Sequence, residues 1–399
     1  MTDTAVERLG EEYIQDPQAV FARLRDSAPV TPVIMPAGDR AWLVTRYDDV
    51  RAALNDPRLA KDWIKRAASQ PWGGDPVRMA LSRHMLVADP PDHTRLRRLV
   101  VKAFTPGRVE ALRPRISEIT SSLLDGLSSE PGDVVDLVDA FAFPLPVIVI
   151  CELLGIGDGD RNLFREWTGT TLSSASTPEE QYAASRGVYD YFTSLVESKR
   201  REPGDDLVSA LIAARDSGDA LSEDELIAML FLLLIAGHET TVNLIASGML
   251  ALLLNPGELA RLRADPSLLP GAVEELLRYG NPLNHATIRF TAEPTVIGGV
   301  EIPAQERVVL ATASANTDPG RFPSGSALDL TRDTSGHVAF GYGIHYCLGA
   351  PLARLEGEIA FGSLLSAFPD LTLAVPPESL RWRPSSLIHG LETLPVRLA

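Results

Sequence analysis

One stretch near the middle of the chain limits the fold more than any other. Ser222-x-x-Glu225 is a capping box that opens a helix. The apolar pattern behind it continues to Leu254 and halts at Asn255-Pro256-Gly257. About 32 residues at ~1.5 Å each make a rod of roughly 48 Å. The rod is apolar nearly all round, so it must be covered on all sides and run through the centre of a mostly helical body. Its longest unbroken apolar run, Ile227 to Gly237, is too short to span a bilayer. No membrane span is therefore expected.

The flanking texture fits such a body. Ala41-Trp42-Leu43-Val44-Thr45 reads as a strand, and Asp48 is expected to cap a helix through Leu54. Residues 60–88, with Trp63 and Trp72-Gly73-Gly74, read as irregular. Helical patterns dominate from 93 to 280. Beyond Gly280, Thr295-Val296-Ile297, Val300-Glu301-Ile302 and Arg307 to Ala311 read as short strands, the first two joined by a tight Gly298-Gly299 turn. No linker or repeat divides the 399 residues, so 1–399 is expected to be one domain, mostly α with small peripheral β-sheets.

Charge and cysteine content exclude several classes. A net charge of −16 argues against general nucleic-acid binding. The one local exception runs from His93 to Arg108, with Arg95, Arg97, Arg98, Lys102 and Arg108 and no acid. Two cysteines cannot make a disulfide framework, and Cys151, in an apolar run, reads as core. The acidic N-terminus has no apolar signal region, so a cytoplasmic protein is expected.

Two places interrupt this pattern with chemistry. On the long helix, Ala236-Gly237-His238-Glu239-Thr240-Thr241 puts an acid and hydroxyls into greasy surroundings, where polar groups need partners or a task. A kink with threonine bonded back to a carbonyl is one reading. A zinc-protease helix is not, because the second histidine it needs at 242 is Val242. Near the C-terminus, Cys347 follows a glycine-rich turn and precedes an amphipathic helix with Leu352, Leu355, Ile359 and Ala360 on one face. Alone it is as readily a core cysteine. With a helix N-terminus behind it, it also suits a metal-bound thiolate.

The whole string Phe340-Gly341-Tyr342-Gly343-Ile344-His345-Tyr346-Cys347-Leu348-Gly349 closely resembles the haem-binding loop of the cytochrome P450 family. The resemblance extends over essentially the whole chain and implies that family's fold, with the long helix crossing a haem b. It makes Cys347 the axial thiolate, with Gly341 and Gly349 in the haem-binding loop. It makes Gly237 a groove over the iron, and Glu239 and Thr240 the acid–alcohol pair that manages protons. His93 and Arg97, spaced i, i+4, match propionate ligands, as do Arg289 and His345. Glu275 and Arg278 match a buried structural pair. Family correspondence puts Trp63, Leu86, Val87, Leu172, Leu232, Ala236, Leu283 and Ile388 in the substrate pocket. Thr317 and Gln305 depart from the pattern, standing where Arg and Gly are usual.

The implied reaction is insertion of one oxygen atom from O2 into a C–H or C=C bond of a bulky lipophilic substrate. The chain is most like the actinobacterial branch that hydroxylates macrolides and other polyketides, with steroids or other terpenoids as the alternative. No flavin or nicotinamide motif is present, so a separate ferredoxin and its reductase are expected to supply electrons to a monomer, docking on the basic run. A peroxide-driven haem-thiolate enzyme would not need Glu239 and Thr240. A haem-thiolate gas-binding protein would need no proton relay.

Overall fold

The computed structural model describes residues 6–63, 75–128, 134–216 and 221–398. Trp72-Gly73-Gly74, and with them residues 64–74 of the expected pocket loop, lie outside these. The chain divides into two units. One comprises residues 1–60, 120–142 and 240–399; the other comprises 61–119 and 143–239.

Among the described residues, the first unit holds all the strands. In chain order they are β1 (Glu7–Arg8), β2 (Val30–Ile34), β3 (Arg40–Val44), β4 (Leu59–Ala60), β5 (Val134–Asp136), β6 (Arg289–Thr291), β7 (Thr295–Ile297), β8 (Val300–Ile302), β9 (Arg307–Leu310), β10 (Thr372–Leu373) and β11 (Pro395–Arg397). Six of them form a mixed sheet in the order β1-β2-β3-β9-β6-β4. β3 and β9 run parallel, with Trp42 opposite Val308 and Val44 opposite Leu310, and β6 lies antiparallel on the other side of β9. β10-β11-β5 make a second sheet, and β7-β8 a hairpin. The hairpin turn needs Gly298 and Gly299, whose φ values are +54° and +79°. Gln305 also adopts a positive φ, +68°, which accounts for a glycine being usual there.

The second unit is helical. Helix Arg161–Leu172 packs on helix Pro178–Arg201. A Cβ at Gly187 would stand 2.8 Å from the Trp167 ring, so glycine permits that approach. Helix Asp92–Val100 follows its basic sequence, and helix Pro144–Leu154 buries Cys151 at 1% exposure, as core.

The long helix spans Glu223–Leu254. Its capping box is formed: Glu225 N donates to Ser222 Oγ at 3.2 Å, and Ser222 N to Glu225 Oε2 at 2.8 Å. Two-thirds of its most apolar stretch is buried, as a core helix requires.

Two local expectations need correction. The helix Tyr47–Leu54 begins one residue before Asp48, and its Tyr47 N–H donates to Asp318 at 2.8 Å. The cap comes from 271 positions away in sequence, not from the neighbouring acid. Within 60–88, Pro76–Leu81 is a helix capped by Asp75, whose side chain accepts from Val77 N at 2.9 Å.

Candidate active site

The cysteine loop is shaped by its glycines. Gly341 and Gly343 sit at φ +73° and +78°. A side chain at 343 would also collide with Asn55. The loop folds back far enough for Cys347 N to donate to Phe340 O at 2.9 Å. Cys347 is exposed rather than core, beside the exposed Tyr342, Ile344 and Tyr346. Helix Ala350–Ala367 starts three residues later, and Pro351 removes one of the N–H groups expected at its first turn.

The loop is braced from below. Arg354 donates to both oxygens of Glu274, at 2.5 and 3.0 Å, and stacks 4.6 Å from the Phe340 ring. His337 adds a contact of 2.9 Å to the same carboxylate. Burial works against ionisation of Glu274, but these partners hold its pKa down at about 2. Glu275 and Arg278, both fully buried, lie beside this brace. Arg278 bonds both carboxylate oxygens at 2.6 and 2.7 Å, and donates to the carbonyls of Asn316, Gly325 and Ala327.

Gly349 tests the fit of a haem. Its φ is an ordinary −81°, and a Cβ there would meet nothing within 4 Å. Neither torsion nor packing among the described residues calls for glycine. The open face leaves room for a flat group laid against it. The donor set agrees: a thiol on an exposed loop, with a buried arginine and a half-buried histidine as donors that suit carboxylates. Arg289, first in β6, is 4% exposed, and His345 is half-buried in the turn Gly343–His345.

In the helical unit, His93 is 3% exposed and Arg97 lies one turn on, half-buried. Burial, then Arg97 and Lys61, push the His93 pKa down. Lys61 is itself 3% exposed, and Asp89 is occupied by the Lys61 and Asp62 backbone amides at 3.0–3.1 Å. The cluster suits a bound anion. Arg95 leaves the expected docking patch, because it pairs with Glu225 at 2.5 Å. Arg98, Lys102 and Arg108 remain exposed.

On the long helix, Gly237 has a packing role: a Cβ would stand 2.8 Å from Ile150 Cδ1. One residue earlier, Ala236 is exposed in mid-helix, a turn beyond buried Leu232. Glu239 is 4% exposed and accepts from Thr168 Oγ1 at 3.0 Å. His238 is fully buried, with Nδ1 2.7 Å from Leu234 O and Nε2 3.3 Å from Thr168 Oγ1.

Among the pocket candidates, Leu283 and Ile388 are brought together as a β-bridge within the first unit. Trp63, Leu86, Val87 and Leu172 are half-buried in the second. Sequence reasoning missed Thr168, which is one of several threonines ending a helix and carries no motif. It also missed Arg354 and Glu274, an ordinary surface pair by composition.

The description "Cytochrome P450" fits residues 179–385. The chain is 48% identical over 389 residues to 6-deoxyerythronolide B hydroxylase of Saccharopolyspora erythraea, covering 95% of each. It is also 48% identical over 392 residues to vitamin D(3) 25-hydroxylase of Pseudonocardia autotrophica, covering 97% of this chain and 94% of that protein. The tirandamycin C-bound P450 monooxygenase TamI superposes with a TM-score of 0.92 at 50% identity, over 98% of this chain and all of that one. With the glycine-shaped cysteine loop and buried cations already described, these matches mean that the chain belongs to the cytochrome P450 family, as a haem-b monooxygenase.

Proposed function

We propose that this enzyme inserts one atom of O2 into a C–H or C=C bond of a bulky, mainly apolar molecule of the polyketide class. The cysteine loop carries this reading: an exposed sulfur ahead of a helix N-terminus, beside a glycine that protein packing does not explain. Bound haem supplies the chemistry that activates dioxygen, and a thiolate ligand favours O–O cleavage.

The chain's own residues do the rest. The Cys347 sulfur would hold the haem iron, with Gly341 and Gly349 in the loop around it. His93, Arg97, Arg289 and His345 are assigned to the propionates, whose charges need hydrogen-bond donors once buried, with the two arginines supplying positive charge. Glu239 and Thr240 are assigned to hold and pass protons, in a site that must otherwise stay dry. Leu283, Ile388, Leu232, Leu172, Trp63, Leu86, Val87 and Ala236 would give the substrate an apolar wall with few polar anchors.

Enzymes of this family draw electrons from a redox partner. Here a ferredoxin with its reductase is assigned, supported by exposed Arg98, Lys102 and Arg108 on an otherwise acidic protein. The chain is read as one working domain, the unit over which relatives align at almost full length, and as a cytoplasmic monomer.

The substrate class rests on relatives named for 6-deoxyerythronolide B and tirandamycin C. Vitamin D3, named for a relative of equal identity, keeps a secosteroid as the second reading. A spin-state titration of the haem protein with these three compounds tests the assignment. The polyketides are expected to give the larger shift and tighter binding. A shift with vitamin D3 alone would move the enzyme to the second reading.

A further inference from the structure

The hairpin from Arg381 to Glu392 is held at its outer edge by one side chain. Trp382 and Leu391 face each other across it as an antiparallel bridge. The hairpin's own bonds flank that pair: Arg383 N donates to Gly390 O at 2.8 Å, and Glu392 N to Arg381 O at 2.9 Å. In such a ladder the N–H and C=O of the residue between point to the opposite edge. There the Gln15 side chain takes both. Trp382 N donates to Gln15 Oε1 at 3.1 Å, and Gln15 Nε2 donates to Trp382 O at 3.1 Å. A primary amide carries a donor and an acceptor in one plane, so Gln15 does for this edge what a neighbouring strand would do. It ends helix Glu11–Gln15, 367 positions away in sequence. The same helix supplies Tyr13, fully buried, whose hydroxyl donates to Ser386 O at 3.4 Å.

The inner edge of the hairpin carries the expected substrate wall. His389 N donates to Pro282 O at 2.9 Å and Asn284 N to Leu387 O at 2.8 Å, which sets Ile388 opposite Leu283. The Trp382 ring lies flat on the His389 ring, with centroids 3.7 Å apart and planes 13° apart. The residue that Gln15 grips is therefore stacked on the neighbour of Ile388. A Cβ at Gly390 would collide with the buried Asn243 side chain, so the hairpin cannot move that way without displacing a residue of the long helix. We infer that Gln15 is a positioning residue for substrate selectivity: its amide fixes the edge of the hairpin, and with it the place of the Leu283–Ile388 wall. This rests on the reading of those two residues as pocket wall. Without the amide, a part-buried N–H and C=O lose their partners, and the strand shifts to find others. A misplacement of about 1 Å is enough to change which carbon is presented for reaction.

The test compares Gln15→Leu, Gln15→Glu and Ile388→Ala in the haem-loaded enzyme. Electrons come from a surrogate ferredoxin and reductase. The probe is 6-deoxyerythronolide B, or tirandamycin C or vitamin D3 if one of those gives the larger spin-state shift. The readouts are probe affinity from that shift, the distribution of oxidation among the probe's carbons, and the urea unfolding midpoint. Gln15→Leu is expected to weaken probe binding about three- to tenfold, the scale of one neutral hydrogen bond, and to spread oxidation over more positions. Gln15→Glu, equal in size but without the donor, should move both in the same direction. In the Ile388→Ala background, Gln15→Leu should move neither further. If Gln15→Leu does not take up haem, Gln15→Glu carries the same comparison. A residue that only supports the fold would lower the urea midpoint and leave the oxidation pattern alone. Wild-type affinity and oxidation pattern in Gln15→Leu, whatever its urea midpoint, or effects that add to those of Ile388→Ala, would overturn the role of Gln15. Wild-type behaviour of Ile388→Ala would instead overturn the wall reading on which it rests.

Discussion

Replacing Glu275 with glutamine changes one atom and should cost the fold heavily. Glu275 and Arg278 are both 0% exposed. The Glu275 carboxylate accepts from Arg278 Nε at 2.6 Å and Nη2 at 2.7 Å, from Asp329 N at 3.0 Å, and from Arg332 Nε at 3.3 Å. Glutamine keeps one acceptor and turns an N–H2 toward this ring of donors. It also leaves the Arg278 charge in the core without its counter-ion. Breaking such a pair costs about 3–5 kcal/mol. At about 1.4 kcal/mol per tenfold, that is a shift of roughly two to three and a half powers of ten in the unfolding equilibrium. The helices should survive, since domain stabilities run to about 5–15 kcal/mol. The midpoint of urea unfolding, followed by far-ultraviolet circular dichroism, should fall clearly in Glu275→Gln. The control is Glu7→Gln, which breaks a pair whose side chains are 36% and 50% exposed and costs at most about 1 kcal/mol. If the two variants unfold at the same urea concentration, the account of the buried pair is wrong.

Three further outcomes follow from the site. Glu274 ionises near pH 2 in the folded protein against 4.5 unfolded, so its pairing with Arg354 and His337 is fully present above about pH 4.5 and lost as pH falls toward 2. An acid titration of the Soret band should show haem loss across that window, and Glu274→Gln should remove that part of the transition. Burial raises the Glu356 pKa to about 8, so the folded protein keeps a proton that the unfolded chain releases at 4.5. Stability should therefore fall as pH rises from 4.5 toward 8, and melting curves of Glu356→Gln should lose that slope. Thr240→Ala should bind haem and probe normally yet divert electrons to peroxide, as counted by product and peroxide yields; full coupling would remove Thr240 from proton delivery.

What could be read from sequence was local. The long helix carries its start in Ser222 and Glu225 and its stop in Asn255-Pro256, so its bounds were legible. The cysteine turn was legible because two positive-φ glycines at fixed spacing have few other uses. The Glu275–Arg278 pair lies at i, i+3, so its partners were visible, though its burial rested on resemblance. Features made by distant partners were not legible. Asp318 supplies the acceptor that Asp48 was expected to be. Ile150 decides why residue 237 is glycine, and a helix some seventy residues upstream decides where the Glu239 carboxylate rests. None of these leaves a periodic trace, because each depends on a single tertiary contact.

The central claim is that Cys347 holds the haem as a thiolate. The direct measurement is the absorption spectrum of the reduced protein under carbon monoxide, for wild type and for Cys347→Ala. The wild type should show the strongly red-shifted Soret band of a thiolate-ligated haem, and the variant should lack it while its far-ultraviolet circular dichroism stays the same. The same red-shifted band in Cys347→Ala would contradict the assignment.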